Sequence, residues 1–172
     1  MLPHQDARFL PWLLQQSSDD VFVALRCGFN QEHTDVVEIF ELANCDVATA
    51  LLAYTQAFYP AWLDQTEIYE AGFAEKVGAQ PYQYYQFHEL LAVGQRLVEG
   101  HYPDSGLVQN LDWFHAKYQS AWENTERADK PSWLVHPSAF ASRKGREADS
   151  PYLFGDLHAV YRSTAVEQRM AR

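Results

Sequence analysis

The stretch from Asn44 to Tyr59, NCDVATALLAYTQAFY, followed by Pro60, decides the fold prediction for this chain. The carboxylate of Asp46 can accept hydrogen bonds from the first free amides of a helix, which makes Asp46 a predicted N-cap. Apolar residues then recur at helical spacing along one face: Val47, Ala50, Leu51, Tyr54 and Phe58. Proline cannot continue the hydrogen-bond ladder, so we expect the helix to end at Tyr59. Leu52 and Tyr59 add apolar surface on a second side, which predicts burial against more than one neighbour.

Helix signals recur along the rest of the chain. Before the central helix, a short helix is predicted at Pro11, a second is capped by Ser17 with Asp20 before Phe22 and Leu25, and a third starts at Thr34-Asp35 with Glu38. After it, one helix starts at Pro60 with Trp62, Tyr69 and Phe73, and another covers 82–99, ends at Gly100 and has an apolar face of Phe87, Leu90, Leu91, Gly94, Leu97 and Val98 that we expect to be buried. The last two helices are one carrying Leu107, Leu111, Phe114, Tyr118 and Trp122, and one capped by Asp156. Short connections between helices favour antiparallel neighbours. The prediction is an all-α fold: a single domain over 1–172, built as an irregular antiparallel bundle of seven or eight helices.

Helical periodicity fades over residues 127–155, and we predict an irregular segment there. Its basic centre, Arg143-Lys144-Gly145-Arg146, is the candidate for mobility. The sequence leaves open whether Trp133, Leu134 and Val135 anchor this segment or form a short strand.

The run from Asn44 to Leu51, read as N-C-D-x-x-T-A-L, resembles the signature of a small bacterial family of domains of unknown function. The resemblance covers residues 19–63. Phe29-Asn30-Gln31-Glu32 stands where that pattern has an Asn-Trp-Asp-like turn, and Ala53-Tyr54 stands where it has an aromatic pair. No catalytic residues belong to the pattern, so the resemblance implies a helical fold and a bacterial source but no reaction.

The net charge of −10 is concentrated at the front of the chain. Residues 1–75 hold twelve acidic side chains against Arg8 and Arg26, whereas residues 76–172 hold eleven of each sign. A negative surface repels phosphate backbones, which disfavours nucleic-acid binding, and attracts a basic protein. The plainer interpretation is that acidic surfaces keep a protein soluble.

Several other functional classes lack their signals. Cys27 and Cys45 are too few for a disulfide framework or a zinc site, and we interpret both as small apolar residues within helices. The N-terminus lacks the pattern of a signal peptide, and no apolar run is long enough to span a membrane, so we expect a soluble cytoplasmic protein without a cofactor.

Catalytic and metal-binding patterns are weak. His88-Glu89 and Asp112-x-x-His115 lie on consecutive predicted helices, but a di-iron bundle needs two Glu-x-x-His motifs and two more carboxylates. There is no Gly-x-Ser-x-Gly elbow and no glycine-rich phosphate loop. A triad assembled in space and a pair of catalytic carboxylates remain open, although acidic residues on helix faces are usually solvated.

Two site predictions result. A partner-binding surface would combine acidic and aromatic side chains from the front half: Asp35, Glu38, Glu41, Trp62, Asp64, Glu67, Tyr69 and Glu70. A pocket between helices would be formed by Tyr85, His88, Asp112 and His115. The first predicts a non-catalytic interaction protein, in its sharpest form an immunity-type protein that neutralises a basic toxin. The second predicts a small-molecule-binding protein or an enzyme. A structural subunit with a large apolar homodimer interface is the third possibility.

Overall fold

The computed structural model describes residues 14–26, 45–58, 63, 93–124 and 130–150. Within these ranges the elements are α1 (Ser18–Arg26), α2 (Val47–Ala57), α3 (residues 93–98), α4 (Asp112–Asn124) and a 3₁₀ turn (Pro137–Phe140). This part of the chain is helical and contains no strand, only two isolated bridges. The predicted helical class is therefore confirmed for the described residues. The predicted helices at Thr34-Asp35 and Asp156, and most of those at Pro11 and Pro60, lie outside them. Leu14, in the helix predicted at Pro11, lies in a turn and is 48% exposed.

Helix α1 begins at the predicted cap. The Ser17 hydroxyl accepts a hydrogen bond from the Asp20 amide at 3.1 Å, and the Asp20 carboxylate accepts one from the Ser17 amide at 3.1 Å. This reciprocal pair is a capping box, and it satisfies two amides that the helix itself cannot. Val21 and Phe22, on the following turn, are buried, and α1 packs against α2.

Helix α2 confirms the central prediction. Asp46 is its N-cap and accepts a hydrogen bond from the Ala48 amide at 2.8 Å. The helix ends at Ala57, two residues earlier than predicted, because Phe58 has extended backbone angles. Burial extends around most of the helix, including Ala48, Thr49 and Ala53 as well as the predicted apolar face. The prediction of more than one packing neighbour is therefore correct.

Helix α3 ends at Gly100 as predicted, and Gly100 has a φ of 70°. The Gly100 amide bonds to the Leu97 carbonyl and the His101 amide to the Arg96 carbonyl, which together form a Schellman motif. The prediction that Val98 lies on the buried face is wrong, since Val98 is 53% exposed. Only Val93 and Gly94 are buried among the described residues of this helix.

The prediction that Leu107 belongs to the next helix is also wrong. Helix α4 begins at Asp112, and Gly106 has a φ of 77°, which a right-handed helix cannot contain. Residues 106–109 instead exchange backbone hydrogen bonds with residues 143–146. Leu107 is fully buried and packs with Phe22 and Ala48 in a small apolar cluster.

A second, aromatic cluster joins α2, α4 and the 3₁₀ turn. Its members are Tyr54, Phe58, Phe114, Tyr118 and Phe140, all at most 2% exposed. The ring centroids of Phe114 and Phe140 are 4.9 Å apart, and those of Phe58 and Tyr118 are 5.3 Å apart, both in edge-to-face arrangements that favour aromatic pairs. This cluster therefore holds α2, α4 and the 3₁₀ turn together.

Two hydroxyls lie inside the aromatic cluster and bond in series. The Tyr118 hydroxyl donates to the Val135 carbonyl at 2.9 Å, and the Tyr54 hydroxyl lies 3.4 Å from that of Tyr118. Burial raises the pKa of Tyr54 well above its usual value, so the phenol stays neutral.

The described part of the irregular segment, residues 130–150, is irregular as predicted apart from the 3₁₀ turn. Residues Trp133 to Val135 do not form a strand. Leu134 and Val135 are buried, and a Cβ on Gly94 would clash with the Trp133 carbonyl. Gly94 therefore allows α3 to lie directly on this backbone, which anchors the segment.

Candidate functional site

The charge prediction depended on free carboxylates in residues 1–75, and three of the twelve are described. Asp19, Asp20 and Asp46 are 5%, 8% and 1% exposed. Asp20 completes the capping box of α1, and Asp46 accepts hydrogen bonds from the Ala48 amide and from the Ser105 amide at 2.7 Å. Each of these carboxylates is used inside the fold. They do not contribute to an exposed acidic surface.

Residues 141–150, here called the strap, lie across residues 106–109 and form two isolated bridges with them. The Gln109 and Arg143 backbones exchange hydrogen bonds at 3.1 and 3.2 Å, and the Val108 amide donates to the Arg146 carbonyl at 2.8 Å. Gly145 lies between the two arginines, where a Cβ would be 2.7 Å from the Val108 nitrogen. Only glycine fits this crossing without displacing the backbone.

The first arginine of the strap binds an aspartate in the loop between α3 and α4. Arg143 donates through both terminal nitrogens to Asp104, at 2.7 and 2.9 Å. Asp104 also accepts from the Gly106 amide at 2.9 Å. These contacts, chiefly the guanidinium, hold the pKa of Asp104 below its usual value. The side chain of Asp104 is half exposed, so solvent screens this pair.

The second arginine binds a buried aspartate of α1. Arg146 donates through both terminal nitrogens to Asp19, with one contact at 2.7 Å, and its Nε donates to the Ser105 carbonyl at 3.0 Å. The Asp149 amide donates to Asp19 at 2.6 Å. The hydrogen bond from Arg146, opposed by burial, lowers the pKa of Asp19. Because the side chain of Asp19 is only 8% exposed, this pair is better shielded than the one at Asp104.

The mobility of this basic centre stays a prediction, and the structure shows which contacts its two arginines make. Arg143 and Arg146, the candidates for mobility, are the residues that hold the strap to the body of the protein. Asp19 and Arg146 are 127 positions apart in the chain, and no local pattern predicts a contact at that separation. The only sequence signal was the presence of two arginines beside a glycine in an otherwise irregular stretch.

A shallow cleft borders the strap. It has a volume of about 80 Å³ and is lined by Phe22, Ala48, Leu52, Val108, Gln109, Asn110 and Leu111. Sites for small molecules typically occupy roughly 300–1,000 Å³, so this cleft accommodates one apolar side chain rather than a metabolite.

The predicted site residues fall mostly outside the described ranges. This holds for all eight members of the predicted partner-binding surface, Asp35, Glu38, Glu41, Trp62, Asp64, Glu67, Tyr69 and Glu70, and for Tyr85 and His88 of the alternative pocket. Asp112 is exposed and His115 half-buried in the first turn of α4. Among the described residues, no group of three or more His, Cys, Asp or Glu side chains is placed to hold a metal ion. Trp113, which no sequence argument selected, is 57% exposed beside Asp112.

Cys45 is a free, buried thiol that directly precedes the cap of α2 rather than lying within the helix. Burial, with the nearby Asp46 carboxylate, raises the pKa of this thiol to about 12. A thiol in that environment is protonated at neutral pH and is a poor nucleophile. The interpretation of Cys45 as a small apolar residue therefore fits its surroundings.

None of the helices in the described ranges is both long and apolar enough to cross a membrane. Comparisons with protein-family models, with curated proteins and with solved structures found no match to this chain.

Proposed function

We propose that this protein is a non-catalytic interaction protein that binds a basic partner through its acidic N-terminal half. The observation that supports this is a charge imbalance that no internal pairing can remove. The chain has 23 acidic and 13 basic side chains, so a net charge of −10 remains even if every cation is paired with one carboxylate. The strap uses two of those cations, Arg143 and Arg146, on Asp104 and Asp19.

The proposed surface comprises the acidic and aromatic residues of the front half: Asp35, Glu38, Glu41, Trp62, Asp64, Glu67, Tyr69 and Glu70. Carboxylates there would accelerate the encounter with a positive partner, and Trp62 and Tyr69 would supply apolar contact once it is bound. In its narrower form the proposal is an immunity-type protein whose partner is a basic toxin. A site at Tyr85, His88, Asp112 and His115 is the alternative, for which no described contact adds support.

A charge-reversal experiment tests the proposal. The front variant replaces Glu67 and Glu70 by lysine, and the control variant replaces Glu99 and Glu123, exposed residues of the back half, by lysine. Both variants have the same net charge. Binding of a labelled lysine- and arginine-rich peptide is then measured by fluorescence anisotropy at about 50 and 200 mM salt, because screening should weaken a charged surface.

The front variant should bind at least about tenfold more weakly than the wild type, and the control variant should bind within about threefold of it. Equal losses in the two variants would show that the peptide responds only to net charge. That result would refute a specific surface in the N-terminal half.

A further inference from the structure

The strap already places arginines on this protein's carboxylates in the way that a basic ligand would. Two guanidinium groups, three residues apart, each make two hydrogen bonds to one aspartate. Flat guanidinium groups match carboxylates in this paired geometry, whereas a lysine ammonium does not. The backbone of the same segment bonds to the amides of Val108 and Gln109.

The strap is held mainly by polar contacts at the surface. Seven of its ten residues are exposed and none is buried. Ala148 is its one residue packed against the apolar cluster of Phe22, Ala48 and Leu107. Since little apolar surface would be uncovered, detaching the strap is a small local opening rather than global unfolding.

The fit of the strap is also imperfect at one atom. The Nε of Arg143 is buried and has no hydrogen-bond acceptor in the described structure, although the two terminal nitrogens are both bonded. A buried donor without an acceptor weakens the hold of the segment that carries it. A competing segment whose own arginine leaves no buried donor without an acceptor would not carry this cost.

Detachment would uncover a coherent binding site. Its parts are the carboxylates of Asp19 and Asp104, the amides of Val108 and Gln109, and the adjoining cleft lined by residues 108–111. Exposed backbone amides bind an added extended chain, and the cleft beside them would accept one apolar side chain of that chain.

We propose that the strap is a displaceable internal ligand, and that a basic partner binds by inserting in its place a segment with two arginines three residues apart and a glycine before the second. The inference rests on the proposed function, since it names the recognition element of the basic partner. The glycine is required because the strap crosses the backbone of residues 106–108 at Gly145, whereas Lys144 is exposed and its side chain is not used in the proposed recognition.

Competition with the attached strap sets the expected affinity. A tethered segment acts at an effective concentration on the order of millimolar, so a free peptide should bind the wild type only weakly. Loosening the strap without altering Asp19 or Asp104 should therefore increase the affinity for the peptide. This dependence separates a displaceable ligand from a purely structural loop.

The experiment uses the full-length protein and a labelled peptide with the sequence of residues 141–150, ASRKGREADS, in an anisotropy titration. Gly145→Ala loosens the strap and leaves every charge in place. It should bind the peptide at least about tenfold more tightly than the wild type. Lys144→Gln, which removes an exposed charge from the strap, is the matched control and should bind like the wild type.

Two further peptides test the recognition itself. A peptide with both arginines replaced by lysine keeps the charge but loses the paired geometry, and should bind the Gly145→Ala protein about tenfold more weakly. A peptide with alanine for glycine should lose most of its binding. If Gly145→Ala does not fold, as judged by circular dichroism, the double variant Arg143→Gln/Arg146→Gln takes its place. Its control is the double variant Lys130→Gln/Lys144→Gln, which loses the same charge.

A folded, loosened protein that binds the peptide no better than its control would overturn the inference, as would equal binding of the arginine and lysine peptides. If the charge-reversal experiment still shows a loss confined to the front variant, the proposed function stands without the displaceable strap. If the front variant of the charge-reversal experiment also loses no binding relative to its control, the proposed function and the displaceable strap both fail.

Discussion

Removing the carboxylate of Asp46 tests how α2 is joined to the loop before α4. One oxygen caps the helix at the Ala48 amide, and the other accepts the amide of Ser105, 59 residues away. In Asp46→Ala, the lost cap costs roughly 0.5–2 kcal/mol. The lost hydrogen bond to the amide of Ser105, an exposed residue that water can reach, adds about 0.5–1.5 kcal/mol. We expect the free energy of unfolding to fall by about 1–3.5 kcal/mol.

Two controls separate the two contacts. Asp46→Asn keeps one acceptor oxygen, so it can still cap the helix, but it presents an amide nitrogen to the Ser105 amide. It should therefore lower the free energy of unfolding by about half as much as Asp46→Ala. Ser17→Ala removes a cap on α1 whose hydrogen bonds are all local, and should cost about 1 kcal/mol.

The assay is urea unfolding followed by circular dichroism. With a slope of about 2 kcal/mol per molar urea, the alanine variant should move the midpoint down by roughly 0.5–1.8 M. The reasoning is refuted if Asp46→Ala costs no more than Ser17→Ala, or if asparagine and alanine at position 46 are equally destabilising. Either result would mean that the bond to Ser105 contributes nothing to stability.

Three further predictions concern packing, buried hydroxyls and pH. Gly94→Ala should destabilise by about 1–3 kcal/mol in thermal unfolding, because the new methyl meets the Trp133 carbonyl and comes 3.3 Å from the Tyr54 ring; an unchanged Tm would contradict this contact. Tyr118→Phe leaves the Val135 carbonyl without its hydroxyl donor and should lower the free energy of unfolding by about 1–3 kcal/mol, more than Tyr54→Phe does. If urea unfolding shows Tyr54→Phe to be the more destabilising change, the Tyr118 hydroxyl is not the one that bonds the carbonyl. The pKa of Asp19 is lower in the folded protein than in the unfolded chain, where it is about 3.9. The contribution of Asp19 to stability is therefore fully present above the unfolded pKa and is lost as the pH falls through the folded pKa. Asp19→Asn should therefore be less stable than the wild type at pH 7 and lose less stability between about pH 5 and 2; parallel pH profiles would exclude this role.

Local signals in the sequence predicted local structure well. The caps at Ser17 and Asp46 and the stop at Gly100 each depend on side chains and backbone angles within about four residues, and the structure confirms all three. The predictions that rest on apolar spacing alone are wrong for Leu107 and Val98. Leu107 has helical spacing with Leu111, yet it lies outside the helix because its neighbours Gly106 and Val108 form backbone hydrogen bonds with Arg146 of the strap.

The candidate site was much less predictable than the helices. The sequence indicated an acidic front half, but not that Asp19 would be buried beneath an arginine from the far end of the chain. Whether a carboxylate is free or paired depends on which distant cation the fold brings next to it, and charge counts contain no such information.

By itself, the sequence determined the helical class, the caps and ends of the helices it correctly located, and a net charge of −10 that no internal pairing can cancel. Only the tertiary structure decided that the basic stretch 143–146 is bound to Asp104 and Asp19, and that Gly94 and Gly145 allow one backbone to lie on another. The physical reason is the separation along the chain between the groups that interact. Capping and helical periodicity act over a few residues, whereas ion pairs and backbone crossings depend on groups that come together only when the chain has folded.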